Sequence, residues 1–126
     1  MRKNPLMFIN HILENIILIE KSINNLSRKD FGNNRDILDA TIRRIEVIGE
    51  AAKNLSSEFT NKYRNIEWKK IIGMRDKMIH HYFGVDIEII WKTINEDIPI
   101  LKRELQEILE KEKIDDERRN LKNKKE

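Results

Sequence analysis

The sequence predicts an all-α protein, an up-and-down bundle of four main helices plus a short one, and three observations predict it. The 126 residues include only four glycines and two prolines, too few breaks for a sandwich or barrel of many short strands. Isoleucine and leucine recur at three- and four-residue steps along most of the chain, the spacing of one helix face. Residues suited to start a helix, Pro5, Asn65 and Asp86, stand before those runs. A chain of this length is one domain with a real core.

The first helix is expected from about Pro5 to Leu26, burying Ile9, Ile12, Leu13, Ile16, Ile19, Ile23 and Leu26. His11, beside these positions, reads as a partly buried, hydrogen-bonded histidine rather than a functional one. Asn24 to Asn34 is polar, contains Gly32 and reads as a turn, with Phe31 tucked back onto the bundle. The second helix spans about Arg35 to Leu55 and turns Leu38, Ile42, Ile45, Ile48, Ala52 and Leu55 inward. Gly49 inside it costs about 1 kcal/mol against alanine, which points to the close approach of another helix. Arg43 and Arg44 precede Glu46 and Glu50, and two readings stand open. They form a solvated row of intrahelical ion pairs, or one glutamate crosses to neutralise Arg75 on a facing helix.

Ser56 to Arg64 is a short helical or irregular link. Asn65 caps the next helix, about Ile66 to Tyr82, with Glu67 at its positive end and Gly84 as its stop. At 100° per residue, Trp68, Ile71, Ile72, Ile79 and Tyr82 make one apolar stripe with Arg75 in its middle. A cation on a core face is costly unless it is paired or faces a cleft. Asp76 and His80 lie four apart on one flank, where a carboxylate can hold an imidazole. After the turn Phe83-Gly84-Val85, Asp86 caps a last long helix carrying Ile87, Ile90, Trp91, Ile94, Ile98, Leu101, Leu105, Ile108 and Leu109. Pro99 inside it predicts a kink or a break. Beyond Glu110 the chain is almost entirely charged, with Ile114 and Leu121 its only clearly apolar residues. Residues 1–110 therefore form the helical domain. Residues 111–126 form an exposed helical extension that frays toward its end, with Lys122, Lys124 and Lys125 as a weak basic tail.

Composition excludes several classes. Twenty-five basic and 22 acidic residues nearly cancel, and a net charge of +3 does not by itself argue for nucleic-acid binding. No cysteine is present, so a disulfide framework, thiolate chemistry and a thiolate zinc site are out. The N-terminal apolar run is interrupted by Asn10, His11, Glu14 and Asn15, and no uncharged run of about 18 residues occurs. A soluble, cytoplasmic protein without membrane contact is expected. No H-E-x-x-H pair, Gly-rich phosphate loop or nucleophile turn is present. What remains is Arg75, Asp76, His80 and Tyr82. An imidazole titrates near neutrality and can take a proton from a ribose hydroxyl. A guanidinium can steady charge growing on phosphate oxygens. Spacing alone leaves a structural role open, because an Arg, an Asp and a His at a helix end are common.

Arg75-x-x-x-x-His80-x-Tyr82 resembles the R-x-x-x-x-H-x-Y signature of HepT-like proteins in the HEPN superfamily. The block from Arg43 to Lys53 resembles the family's second helix, and Trp68 to Arg75 resembles the approach to its motif. Tyr82-Phe83-Gly84-Val85-Asp86, Trp91 and Asp97-Ile98-Pro99 also fit, so the likeness covers about residues 5 to 110. It implies an all-α homodimer with the two motifs near a cleft between protomers. It implies a toxin of a type VII toxin–antitoxin pair, a metal-independent endoribonuclease with no cofactor of its own. Arg75 and His80 map onto the catalytic pair, and Asp76 onto the polar position that often follows the arginine. The implied partner is an MntA-type nucleotidyltransferase that silences the toxin by transferring AMP from ATP to Tyr82. His81 fills the variable position between His80 and Tyr82. The alternative is a non-catalytic helical scaffold that holds the nucleotidyltransferase, or binds nucleotide or RNA without cutting.

Overall fold

The computed structural model describes residues 4–81 and 86–124, and the side chains of these residues except Ile79, His80 and His81. Helix α1 (Pro5–Ile23) starts where the Asn4 side chain accepts from the Leu6 N–H, with Pro5 supplying a preset first turn. It ends three residues short of Leu26. Asn25 takes a φ of 64°, a left-handed conformation that asparagine tolerates and that stops a helix. His11 is exposed rather than partly buried, and its Nδ1 lies 3.7 Å from Glu14.

The segment expected to be a turn contains a helix, α2 (Arg28–Asn33), capped by the Ser27 side chain. Phe31 is fully buried there, and its ring lies 5.2 Å from that of Trp91. One aromatic anchor holds this single turn and a half, and so short a piece shows no periodicity to read. Helix α3 (Arg35–Lys53) follows, its first turn closed by Asn34 accepting from the Ile37 N–H. Helix α4 (Ser57–Lys62) is capped by Ser56 and buries Phe59. Helix α5 (Trp68–His81) starts with the Lys70 and Ile71 N–H groups bonded to the Glu67 carbonyl. Asn65 is therefore two residues too early to cap it. Instead, the Trp68 indole N–H donates to the Tyr63 carbonyl at 3.0 Å and fixes the approach.

The last helix is three pieces on one continuous path: α6 (Ile87–Lys92), a π-helical turn (Thr93–Asp97) and α7 (Ile98–Lys124). Asp86 caps α6, as its position suggests. Pro99 has no N–H to give, and just before it the Ile98 N–H reaches back five residues to the Thr93 carbonyl. The expected kink is thus absorbed as a widened turn without a break. The four long elements close a ring of antiparallel neighbours. Arg44 of α3 bonds the Leu18 carbonyl and Ser22 of α1, Gly49 of α3 abuts α5, Lys70 of α5 meets Asp97, and Lys102 of α7 meets Glu20 of α1. Ile9, Ile16, Ile19, Ile45, Ile48 and Leu105 fill the centre with no exposed surface. Besides these four elements, the separate short helices among the described residues number two, α2 and α4, rather than one.

The last helix continues past Glu110 to Lys124. The Tyr63 hydroxyl donates to the Glu112 carboxylate, and Lys62 Nζ lies 2.9 Å from Glu112 and 3.5 Å from Asp115. Lys111 covers the Tyr63 ring, 5.4 Å from its centroid. Polar contacts do here what the missing apolar residues could not. Ile114 and Leu121 stay exposed on the arm beyond. No strand occurs among the described residues, and none of their helices is long and apolar enough to cross a membrane.

Candidate functional site

Helix α5 packs most extensively against α3, and the motif arginine stands on that seam. The face that α5 buries is made by Trp68, Ile71, Met74 and Met78, all under one-tenth exposed. The expected stripe is therefore correct at Trp68 and Ile71 and rotated further along. Ile72 lies on its half-buried flank, and the two methionines, flexible side chains that fill irregular gaps, occupy the centre. Arg75 consequently flanks the core, with 38% of its side chain exposed. The conflict between charge and core is resolved by a shift of register.

Of the two readings of Glu46 and Glu50, each glutamate takes one. Glu46 pairs within its own helix with Arg43 at 3.6 Å. Glu50 crosses to α5, and its Oε1 lies 2.7 Å from Arg75 Nε. Arg44 joins neither, because it is occupied with α1. Asp76 is largely exposed and 3.9 Å from Arg75 Nη1, a loose second carboxylate. Pairs this exposed contribute about 0–1 kcal/mol. Stability is therefore a poor reason for the Glu50–Arg75 contact.

Gly49 explains how the contact is reached. A Cβ built on it would stand 3.0 Å from Arg75 Cβ, 3.3 Å from the Ile72 carbonyl oxygen and 3.4 Å from the Arg75 nitrogen. The missing side chain lets α5 settle onto α3 at Arg75 itself, and the next residue on α3 is Glu50.

His80 belongs to α5 by its backbone, five residues beyond Arg75, or about 7.5 Å along the axis. Its side chain lies outside the described residues, as do those of Ile79 and His81. Tyr82, the turn Phe83-Gly84-Val85 with its stop Gly84, and Lys125 lie outside them altogether. A groove of about 920 Å³ lies elsewhere, lined by Leu6, Phe59, Lys62, Glu112 and Arg119 among others and by no motif residue. No group of three or more His, Asp or Glu among the described residues is arranged to hold a metal ion.

An all-α bundle whose third long helix carries the Arg75 and His80 positions of an R-x-x-x-x-H-x-Y sequence motif, with the arginine paired across a glycine contact, defines a narrow class. Residues 12–108 match the family described as Ribonuclease HepT-like, and the chain belongs to that family. Relatives agree. "Gamma-glutamylcyclotransferase and putative RNase MJ0434" of Methanocaldococcus jannaschii is 48% identical over 110 residues, 87% of this chain and 50% of that protein. The chain thus spans about half the length of that relative. "Putative RNase TTE0752" of Caldanaerobacter subterraneus subsp. tengcongensis is 44% identical over 88% of this chain and 99% of its own length. "Probable ribonuclease HepT" of Thermococcus cleftensis is 39% identical over 86% of this chain and 98% of its own length. No solved structure matches the chain.

Proposed function

We propose that this protein is an endoribonuclease whose reacting groups are His80 and Arg75. The observation that carries the reading is an arginine left half-exposed at the α3–α5 seam, held at the motif spacing from His80 in a chain of the HepT-like family. In the reaction, the ribose 2′-oxygen bonds to phosphorus while His80 takes its proton. The bond from phosphorus to the 5′-oxygen breaks, and that oxygen leaves with a proton from solvent. The products are a 2′,3′-cyclic phosphate and a 5′-hydroxyl end. Arg75 steadies the negative charge that builds on the phosphorane oxygens. Asp76 supports the imidazole from the same helix. The residues do this without a metal or a cofactor of their own.

The finer reading follows the family resemblance. The protein works in the cytoplasm as a homodimer and as the toxin of a type VII pair, with an MntA-type nucleotidyltransferase as its antitoxin. Tyr82 is the point of control: its oxygen attacks the α-phosphorus of ATP on the partner, and pyrophosphate leaves. The added phosphate puts negative charge beside a phosphate-binding cleft and repels RNA. Supporting this is the placement of Tyr82 two residues after His80 in the sequence.

The test is cleavage of RNA in EDTA by the wild type and by His80→Ala. A loss of about 100-fold or more is expected for a proton-transfer group, whereas equal cleavage would remove His80 from the mechanism. For the control step, incubation with the nucleotidyltransferase and ATP should add AMP to the wild type and not to Tyr82→Phe, read by intact mass. Additions to both proteins would move the modification elsewhere.

A further inference from the structure

We propose that Glu50 is the positioning residue for Arg75, holding the guanidinium at its Nε so that the Nη edge is left for the phosphodiester. The proposal rests on the ribonuclease reading and adds a residue outside the R-x-x-x-x-H-x-Y motif. A guanidinium offers two edges for recognition, one through Nε and one through the paired Nη nitrogens. The Glu50 carboxylate sits at the first, 2.7 Å from Nε. On the Nη side, Asp76 Oδ1 lies 3.9 Å from Nη1, beyond hydrogen-bond reach. No hydrogen bond from Arg75 to a described residue competes for that edge.

The fold builds this arrangement. Arg75 is a long, flexible side chain, and a half-exposed arginine without an anchor samples many rotamers. Gly49 removes the side chain that would hold the two backbones apart, and Glu50, next along α3, then meets the head group from the facing helix. Anchor and anchored group sit on different long helices, so their relation is fixed by the packing of α3 against α5. Orientation of a group that acts in the transition state changes the rate more than it changes substrate affinity. A carboxylate near a phosphate site also repels bound RNA, so its removal should not weaken binding.

The experiment compares Glu50→Gln and Glu50→Asp with wild type, Arg75→Ala and Glu20→Gln, all in the full chain. Glu20→Gln breaks a half-buried cross-helix pair with Lys102 on another side of the bundle and serves as the control. Steady-state cleavage of a fluorescent RNA is measured together with thermal unfolding and the arginine Nε–H signals in a ¹⁵N–¹H spectrum. Glu50→Gln should lower kcat at least tenfold without raising KM, keep its unfolding temperature close to wild type, and shift the Nε–H signal that Arg75→Ala lacks. Glu50→Asp should recover part of the rate, and Glu20→Gln should cleave as wild type does. Wild-type kcat in Glu50→Gln, with Arg75→Ala inactive, would overturn the positioning role and leave the ribonuclease reading standing. Full cleavage by Arg75→Ala would overturn the ribonuclease reading, and this proposal with it.

Discussion

Gly49 and Arg75 touch: a methyl group on the glycine would stand 3.0 Å from the arginine Cβ and 3.3 Å from the Ile72 carbonyl. Gly49→Val should therefore force α3 and α5 apart and destabilise the protein by about 1–3 kcal/mol, an overpacking cost. Gly73 on α5 is the contrast, since a Cβ there meets nothing within 4 Å. Gly73→Ala should be neutral or stabilise by up to about 1 kcal/mol through helix propensity alone. Urea unfolding of the two variants checks both signs.

Met78 is 1% exposed on the core face of α5, whereas Ile72 lies on the flank. Met78→Ala should cost about 2–5 kcal/mol, the usual range for a fully buried large side chain. Ile72→Ala should cost clearly less. The same unfolding measurement decides it, and the reverse order would restore the stripe that includes Ile72 and has Arg75 in its middle.

These two pairs of variants mark what the sequence could and could not tell. The long helices were legible because isoleucines at helical spacing report a buried face, and Pro5 and Asp86 stand where they start. Glu50 as a partner for Arg75 was one of two open readings. Choosing it required the tilt of α3 on α5, which no local pattern contains. Met74 and Met78 do not stand out because isoleucine weighs more in a hydropathy pattern than methionine, although both are buried. Helix α2 depends on Phe31 meeting Trp91, 60 residues later, so its fold is a tertiary fact. The Tyr63–Glu112 bond joins residues far apart in the chain with no shared pattern, and nothing in the sequence marks them as partners.

Glu112 carries a pH prediction. Its burial raises the carboxyl pKa, but the Tyr63 hydroxyl and Lys62 outweigh this and hold it below the ordinary value of 4.5. A carboxylate with a lowered folded pKa stabilises the fold above its unfolded value, and that stability is lost as pH falls through the folded value. Wild type should lose stability on acidification below about 4.5 more steeply than Glu112→Gln, with the two curves converging in acid. Unfolding temperature against pH measures it. Parallel curves would show that the contact contributes nothing.

The arm beyond Glu110 should divide in two. Removal of residues 117–126, which includes exposed Leu121, should change stability by less than about 0.5 kcal/mol. Removal from Lys111 onward also strips Glu112 and Asp115 from Tyr63 and Lys62, and should cost about 1–3 kcal/mol, the range for hydrogen bonds to charged groups. Chemical denaturation of the two truncations tests the division.

The central claim is that Arg75 is there for chemistry rather than for the fold, and Arg75→Ala tests it most directly when stability and cleavage are read on one preparation. Its side chain is 38% exposed, so unfolding free energy should fall by no more than about 1 kcal/mol while RNA cleavage falls by about 100-fold or more. A loss of about 3 kcal/mol or more of stability, with undiminished cleavage by the folded fraction, would contradict it and make Arg75 a structural ion-pair residue.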